Sequence, residues 1–167
     1  MAVQEILLLG NPKLYKRAVA IRKNEIQELL SLISDMHDTL MNFRKKYGVG
    51  RAIAAPQINV AKRLVYMHID EPVVFINPVI SYKSRAMIEL WDDCMSFPNL
   101  LVRVRRHQKI RITFHDMNWV EHTWEIENKL SELLQHECDH LEGILAVSRA
   151  IDGKSFALRN QIISKQP

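Results

Sequence analysis

A chain of 167 residues, 47% apolar and 25% charged, has the length and composition of one soluble domain built on one core, here residues 1–167. No apolar run is long enough to span a bilayer. The start, MAVQEILLLGNPKLYKRA, has neither a basic flank nor a small-residue cleavage site. The default expectation is therefore a cytoplasmic protein. Two cysteines, Cys94 and Cys138, are too few for a disulfide framework, and a net charge of +4 is modest.

From Asn24, a plausible N-cap, the pattern NEIQELLSLISDMHDTLMNFRKKYG predicts an amphipathic helix. Ile26, Leu29, Leu30, Ile33, Met36, Leu40 and Phe43 recur at helical spacing, and Lys45, Lys46 and Gly48 mark its end. Strand-like runs follow: RLVYMHI, PVVFINPVISY, LLVRVRR, KIRITFHD and VEHTWEI, separated by turn signals such as DEP and HDMN. A second helix is predicted from near Glu127 through LLQHECDHLEGIL. Helix, hairpin-spaced strands and helix together predict an α+β fold with mainly antiparallel sheet packed around the second helix. The run LVRVRRHQKIRITF carries Arg103, Arg105, Arg106, Lys109 and Arg111. It reads as a solvated strand face, with contact to a polyanion such as ribosomal RNA as the sharper reading. DNA is not an expected partner.

Residues four apart share one face of a helix. Leu133, His136, Glu137 and His140 fall on one side of the second helix. Leu130, Leu134, Cys138, Leu141 and Leu145 form an apolar stripe on the other, which assigns Cys138 to packing. His-Glu-x-x-His on a helix is a metal signature with a mechanism: two imidazoles bind the ion, and the glutamate takes a proton from a water that the ion acidifies. Asp139 either orients a ligand or is simply an exposed acid. Cys94, at the exit of a strand-like run in LWDDCMSFPNLL, is the best candidate for a third ligand, because thiolate binds first-row divalent metals well.

Three segments in order, GRAIAAPQ (50–57), DDCMS (92–96) and QHECDHLEG (135–143), resemble the signature motifs of peptide deformylase, GxGxAAPQ, EGCLS and HExDH. ILLLGNPKLYKRA and FINPVI are also similar to family segments, and the likeness runs from about residue 6 to 148. The resemblance implies a metal held by Cys94, His136 and His140, natively Fe2+, with Zn2+, Ni2+ or Co2+ possible. It implies Glu137 as general base and acid, with Gln57 and the Met95 backbone N–H as oxyanion donors. Gly50 and Ala52 would line the substrate backbone, and Leu133 is a plausible wall for the methionine side chain. The implied reaction removes the formyl group from N-formylmethionyl nascent peptides and releases formate, with the ribosome as a further partner.

The sequence departs from the family pattern at several places. Ala52 stands where the family has glycine, which is tolerable unless φ is positive. Asp92 replaces the motif's glutamate and is expected to pair with Arg106. Asp93 replaces a glycine and brings a negative charge near the metal. The tail QIISKQP leaves little room for an extended C-terminal helix. Asp93 and Ala52 favour an alternative, a deformylase-like module that binds formyl peptides or metal with lost or altered activity. A zinc endopeptidase rests on HExxH alone and leaves Cys94 and Gln57 unexplained. A nucleic-acid-binding protein rests on the arginine strand alone.

Overall fold

A computed structural model describes residues 2–162. The helical pattern after Asn24 forms α1 (Ile26–Tyr47), and Gly48 closes it in the left-handed conformation at φ 73°. Asn24 is not the cap. Lys23–Glu25 form a separate 3-10 turn, in which the Glu25 carboxylate accepts the Arg22 N–H at 2.6 Å. Leu29, Met36, Leu40 and Phe43 are buried, whereas Leu30, placed on the same stripe by spacing, is exposed.

Among the described residues eight strands follow: β1 (Ala52–Ala54), β2 (Leu64–His68), β3 (Pro72–Lys83), β4 (Met87–Asp93), β5 (Leu100–His107), β6 (Lys109–His115), β7 (Glu121–Glu127) and β8 (Phe156–Leu158). They make a five-stranded sheet ordered β1-β2-β3-β6-β7 and a three-stranded sheet ordered β4-β5-β8, and every ladder within them is antiparallel. The α+β expectation with antiparallel sheets holds.

The second helix, α2 (Asn128–Leu141), packs against β1 and β7 of the larger sheet and β5 of the smaller one. It stops short of Leu145, because Gly143 turns the chain at φ 72°. Leu145 is fully buried, but from the loop beyond the helix. Among the larger sheet's strands, β1 and β2 are covered on both faces. Ala52, Ala54, Val65 and Met67 pack into the core cluster under α2, while Ile53, Leu64 and Tyr66 pack into the cluster under α1. The site elements thus sit between two hydrophobic layers. Asn77, at φ 51° in β3, ties the N-terminal segment down by accepting the Ile21 N–H at 2.9 Å and donating to the Ile21 carbonyl at 2.8 Å. A short α3 (Arg159–Ile162) follows β8, and the rest of the QIISKQP tail lies outside the described residues.

Gly143 also carries a close approach. A Cβ there would lie 2.4 Å from the Tyr15 carbonyl oxygen. Gly143→Ala is expected to destabilise the chain by more than the roughly 1–2 kcal/mol of a left-handed L-residue, since backbone must also move. Chemical denaturation reads this directly, and a loss below about 1 kcal/mol would mean that the two segments separate freely.

Candidate active site

The end of β4 and the inner face of α2 meet at a cavity of about 400 Å³. Asp92 is the penultimate residue of β4, and Cys94 begins the turn after it. Cys94, His136 and His140 are all buried, and their ligand atoms lie within 4.8 Å of one another. Cys94 Sγ stands 3.3 Å from His140 Nε2, and the two Nε2 atoms are 3.2 Å apart.

These donors fit a divalent metal. One sulfur and two imidazole nitrogens converge on a single buried point, and such a set suits first-row metals. Burial pushes both imidazoles toward neutrality. For His136 the neighbouring Asp92 and Cys94 reverse this and raise its pKa well above the usual value. For His140 the charge on His136 adds to burial and drives the pKa well below it. Cys138 stays out of the cluster, packed against the core, with burial pushing its thiol up to about 12.

A chain of charged groups orients His136. Its Nδ1 lies 2.9 Å from Asp92 Oδ1. Arg106 Nη2 donates to Asp92 Oδ2 at 2.9 Å, and Arg106 Nη1 donates to Asp139 Oδ2 at 2.5 Å. Arg149 then grips both Asp139 oxygens at 2.6 Å. Burial works against the Asp92 carboxylate, yet His136 and Arg106 outweigh it and hold the pKa at about 2.

Glu137 is 3% exposed and lines the cavity, and its Oε2 has no hydrogen-bond partner among the described residues. Burial lifts its pKa to about 7. Gln57 sits in a 3-10 turn after β1 (Ala55–Ile58). Its Oε1 accepts the Ala54 N–H at 2.9 Å, which aims Nε2 at Ser96 Oγ (3.3 Å) and Cys94 Sγ (3.5 Å). Met95, Gly50, Ala52 and Leu133 line the same cavity. Gly50 has φ 123°, which demands glycine. Ala52 is extended within β1, away from the positive-φ region, so its methyl brings no backbone strain. Asp93 also reaches the cavity wall, but its Oδ2 accepts from Arg159 Nη2 at 2.7 Å.

Arg149 and Arg159, and the Arg51–Glu132 ion pair on the cavity wall, escaped sequence reasoning. Of these, Glu132 alone carried a local signal, lying four residues before His136. The arginine run separates by strand alternation. Arg103 and Arg105 face outward and share Glu89, Lys109 and Arg111 share Glu125, and Arg106 is buried in the site. Among the described residues no helix is long and apolar enough to cross a membrane.

The family model for polypeptide deformylase matches residues 3–155. A peptide deformylase from Leptospira biflexa is 37% identical over 97% of this chain and 96% of its own length. Peptide deformylase 1 from Prochlorococcus marinus is 34% identical over 97% and 88%. The crystal structure of a peptide deformylase from Thermotoga maritima superposes with a TM-score of 0.84 at 28% identity, covering 91% of this chain and all of that one. One from Synechococcus elongatus, in complex with actinonin, gives 0.82 at 27%, covering 90% and 80%.

Proposed function

Because the chain belongs to the peptide deformylase family, we propose that its cavity removes the formyl group from the N-terminal methionine of new polypeptides by metal-dependent hydrolysis, releasing formate. One observation carries the residue assignment: the ligand atoms of Cys94, His136 and His140 lie within 4.8 Å of one another, and Cys94 and His136 line a cavity with the buried Glu137, whose Oε2 is unpartnered among the described residues.

Cys94, His136 and His140 would hold the ion, and ferrous iron is the native metal we propose, with zinc, nickel or cobalt accepted by the same donors. When bound, the ion supplies Lewis acidity, acidifying water and polarising a carbonyl oxygen. Glu137 takes the proton from the attacking water and later delivers it to the leaving amine. With a pKa of about 7, it is poised to do both near neutrality. Gln57 Nε2 and the Met95 N–H hold the oxyanion of the tetrahedral intermediate. Gln57 is already oriented by its bond to Ala54, so little reorganisation accompanies the reaction. Asp92 fixes the His136 ring with Nε2 toward the ligand cluster, Arg106 holds Asp92, and Asp139 holds Arg106.

Gly50 and Ala52 lie along the substrate backbone, and Leu133 along the methionine side chain. The features that favoured an inactive module are accommodated by the extended Ala52 and the Arg159-bound Asp93. We propose the cytoplasm, where new polypeptides are made, as the site of this reaction. We also propose a ribosomal contact through the outward Arg103–Arg105 pair, which carries one more positive charge than its shared Glu89. Charge reversal at both arginines is the test, read as loss of salt-sensitive ribosome binding.

The decisive assay is formate release from a formyl-methionyl tripeptide by protein purified without oxygen and loaded with Fe2+. Tight metal binding with no turnover on any formyl peptide would sink the enzymatic reading. In the same assay Gln57→Ala is expected to lower kcat about 10²–10³-fold with little change in KM, as for loss of one oxyanion donor. An unchanged kcat would remove Gln57 from the mechanism.

A further inference from the structure

We propose that Arg51 and Glu132 are specificity-determining residues: their ion pair gives the substrate side-chain subsite a polar wall, so that the enzyme accepts a formylated glutamine nearly as well as a formylated methionine. This rests on the deformylase reading above.

The placement comes first. Glu132 precedes His136 by one turn of α2 and adjoins Leu133, and all three line the same cavity as Glu137 and Asp92. Arg51 enters from the β1 side, between Gly50 and β1, and lines the same cavity. Its Nη2 donates to Glu132 Oε1, and its Nη1 donates to the Lys129 carbonyl at 3.1 Å. The guanidinium therefore bridges from the β1 side of the cavity to the first turns of α2. The Glu132 side chain is 8% exposed and that of Arg51 is 39% exposed, so the carboxylate forms part of the wall and the arginine faces the opening.

The chemistry follows from that wall. A methionine thioether is a weak acceptor and no donor, and it leaves the pair's remaining hydrogen-bonding capacity unused. A glutamine amide has nearly the same length. It can donate to the Glu132 carboxylate and accept from the Arg51 guanidinium. An apolar subsite would reject the amide, because its polar atoms would be buried without partners. The Arg51–Glu132 wall removes that rejection. Leu133 and the stems of both charged side chains still offer apolar surface to methionine, so methionine is retained as a substrate.

The test compares kcat/KM for formyl-methionyl and formyl-glutaminyl tripeptides that are otherwise identical. For the wild type the preference for methionine is expected to be about tenfold or less. In Arg51→Leu/Glu132→Leu the preference should rise to about 10² or more, as in a hydrophobic pocket facing a polar isostere, and mainly through KM for the glutamine peptide. A wild-type preference above about 100-fold, or an unchanged ratio in the double variant, overturns the proposal. If the double variant does not fold, the wild-type ratio decides alone. No release from either peptide by the metal-loaded wild type overturns the deformylase reading and this proposal with it, whereas release with a steep methionine preference overturns this proposal only.

Discussion

Glu137→Gln is expected to lower kcat for formate release about 10²–10⁴-fold while the protein still binds its metal. Glutamine keeps the shape and removes the proton acceptor. Glu137 is not among the three converging ligands, so metal content should be unchanged. The same variant should gain stability. Burial lifts the Glu137 pKa from 4.5 to about 7, so the folded chain holds that proton to higher pH than the unfolded chain does. In the metal-free protein, stability therefore falls as pH rises from 4.5 toward 7 and then levels off. The gap corresponds to about 3 kcal/mol. Urea melts of the metal-free proteins should agree below pH 4.5 and differ by about that amount at pH 8, with the glutamine variant more stable. Equal pH dependence would mean that water or another group already solvates the carboxylate. An undiminished kcat would end its role as base.

Much of this site was legible because its central unit is local. His136, Glu137 and His140 lie within five residues, and the helical period alone puts them on one face. Cys94 is more than forty residues away, and its placement relied on thiolate chemistry and on the order of the three motifs. What stayed hidden were partnerships across the fold. Arg51 and Glu132 are 81 residues apart, and Arg159 and Asp93 are 66 apart. Nothing in the spacing of charges along a chain indicates which of them a sheet and a helix will bring together. The short strand β1 was hidden for another reason. It is covered on both faces, so the apolar–polar alternation that betrays β7 is absent from Ala52–Ala54. At Asn24 a good capping residue lost to a neighbour, because the Glu25 carboxylate both caps Arg22 and pairs with Lys62.

Arg106→Met should cost the protein about 3–5 kcal/mol of stability and weaken metal binding about 10–100-fold. Arg106 is 2% exposed, and its guanidinium neutralises two buried carboxylates, Asp92 and Asp139. Asp139 retains Arg149, so the penalty falls mainly on Asp92, which keeps His136 alone. Asp92 is held at about 2 against an ordinary 3.8. Its contribution to stability is complete above 3.8 and is lost as pH falls toward 2. Without Arg106 that pKa moves upward, and acid unfolding of the variant should begin at a higher pH than in the wild type. The metal effect follows from geometry. A weaker Asp92 carboxylate grips the His136 ring less firmly, so one ligand is less well aimed. Adding Asp92→Asn removes the uncompensated charge, and should recover part of the lost stability while leaving metal affinity low. That split separates a positioning role from simple packing. If the double variant regained wild-type metal affinity together with its stability, or if Arg106→Met bound metal as tightly as the wild type, the Asp92–Arg106 pair would be scaffolding rather than part of the metal centre.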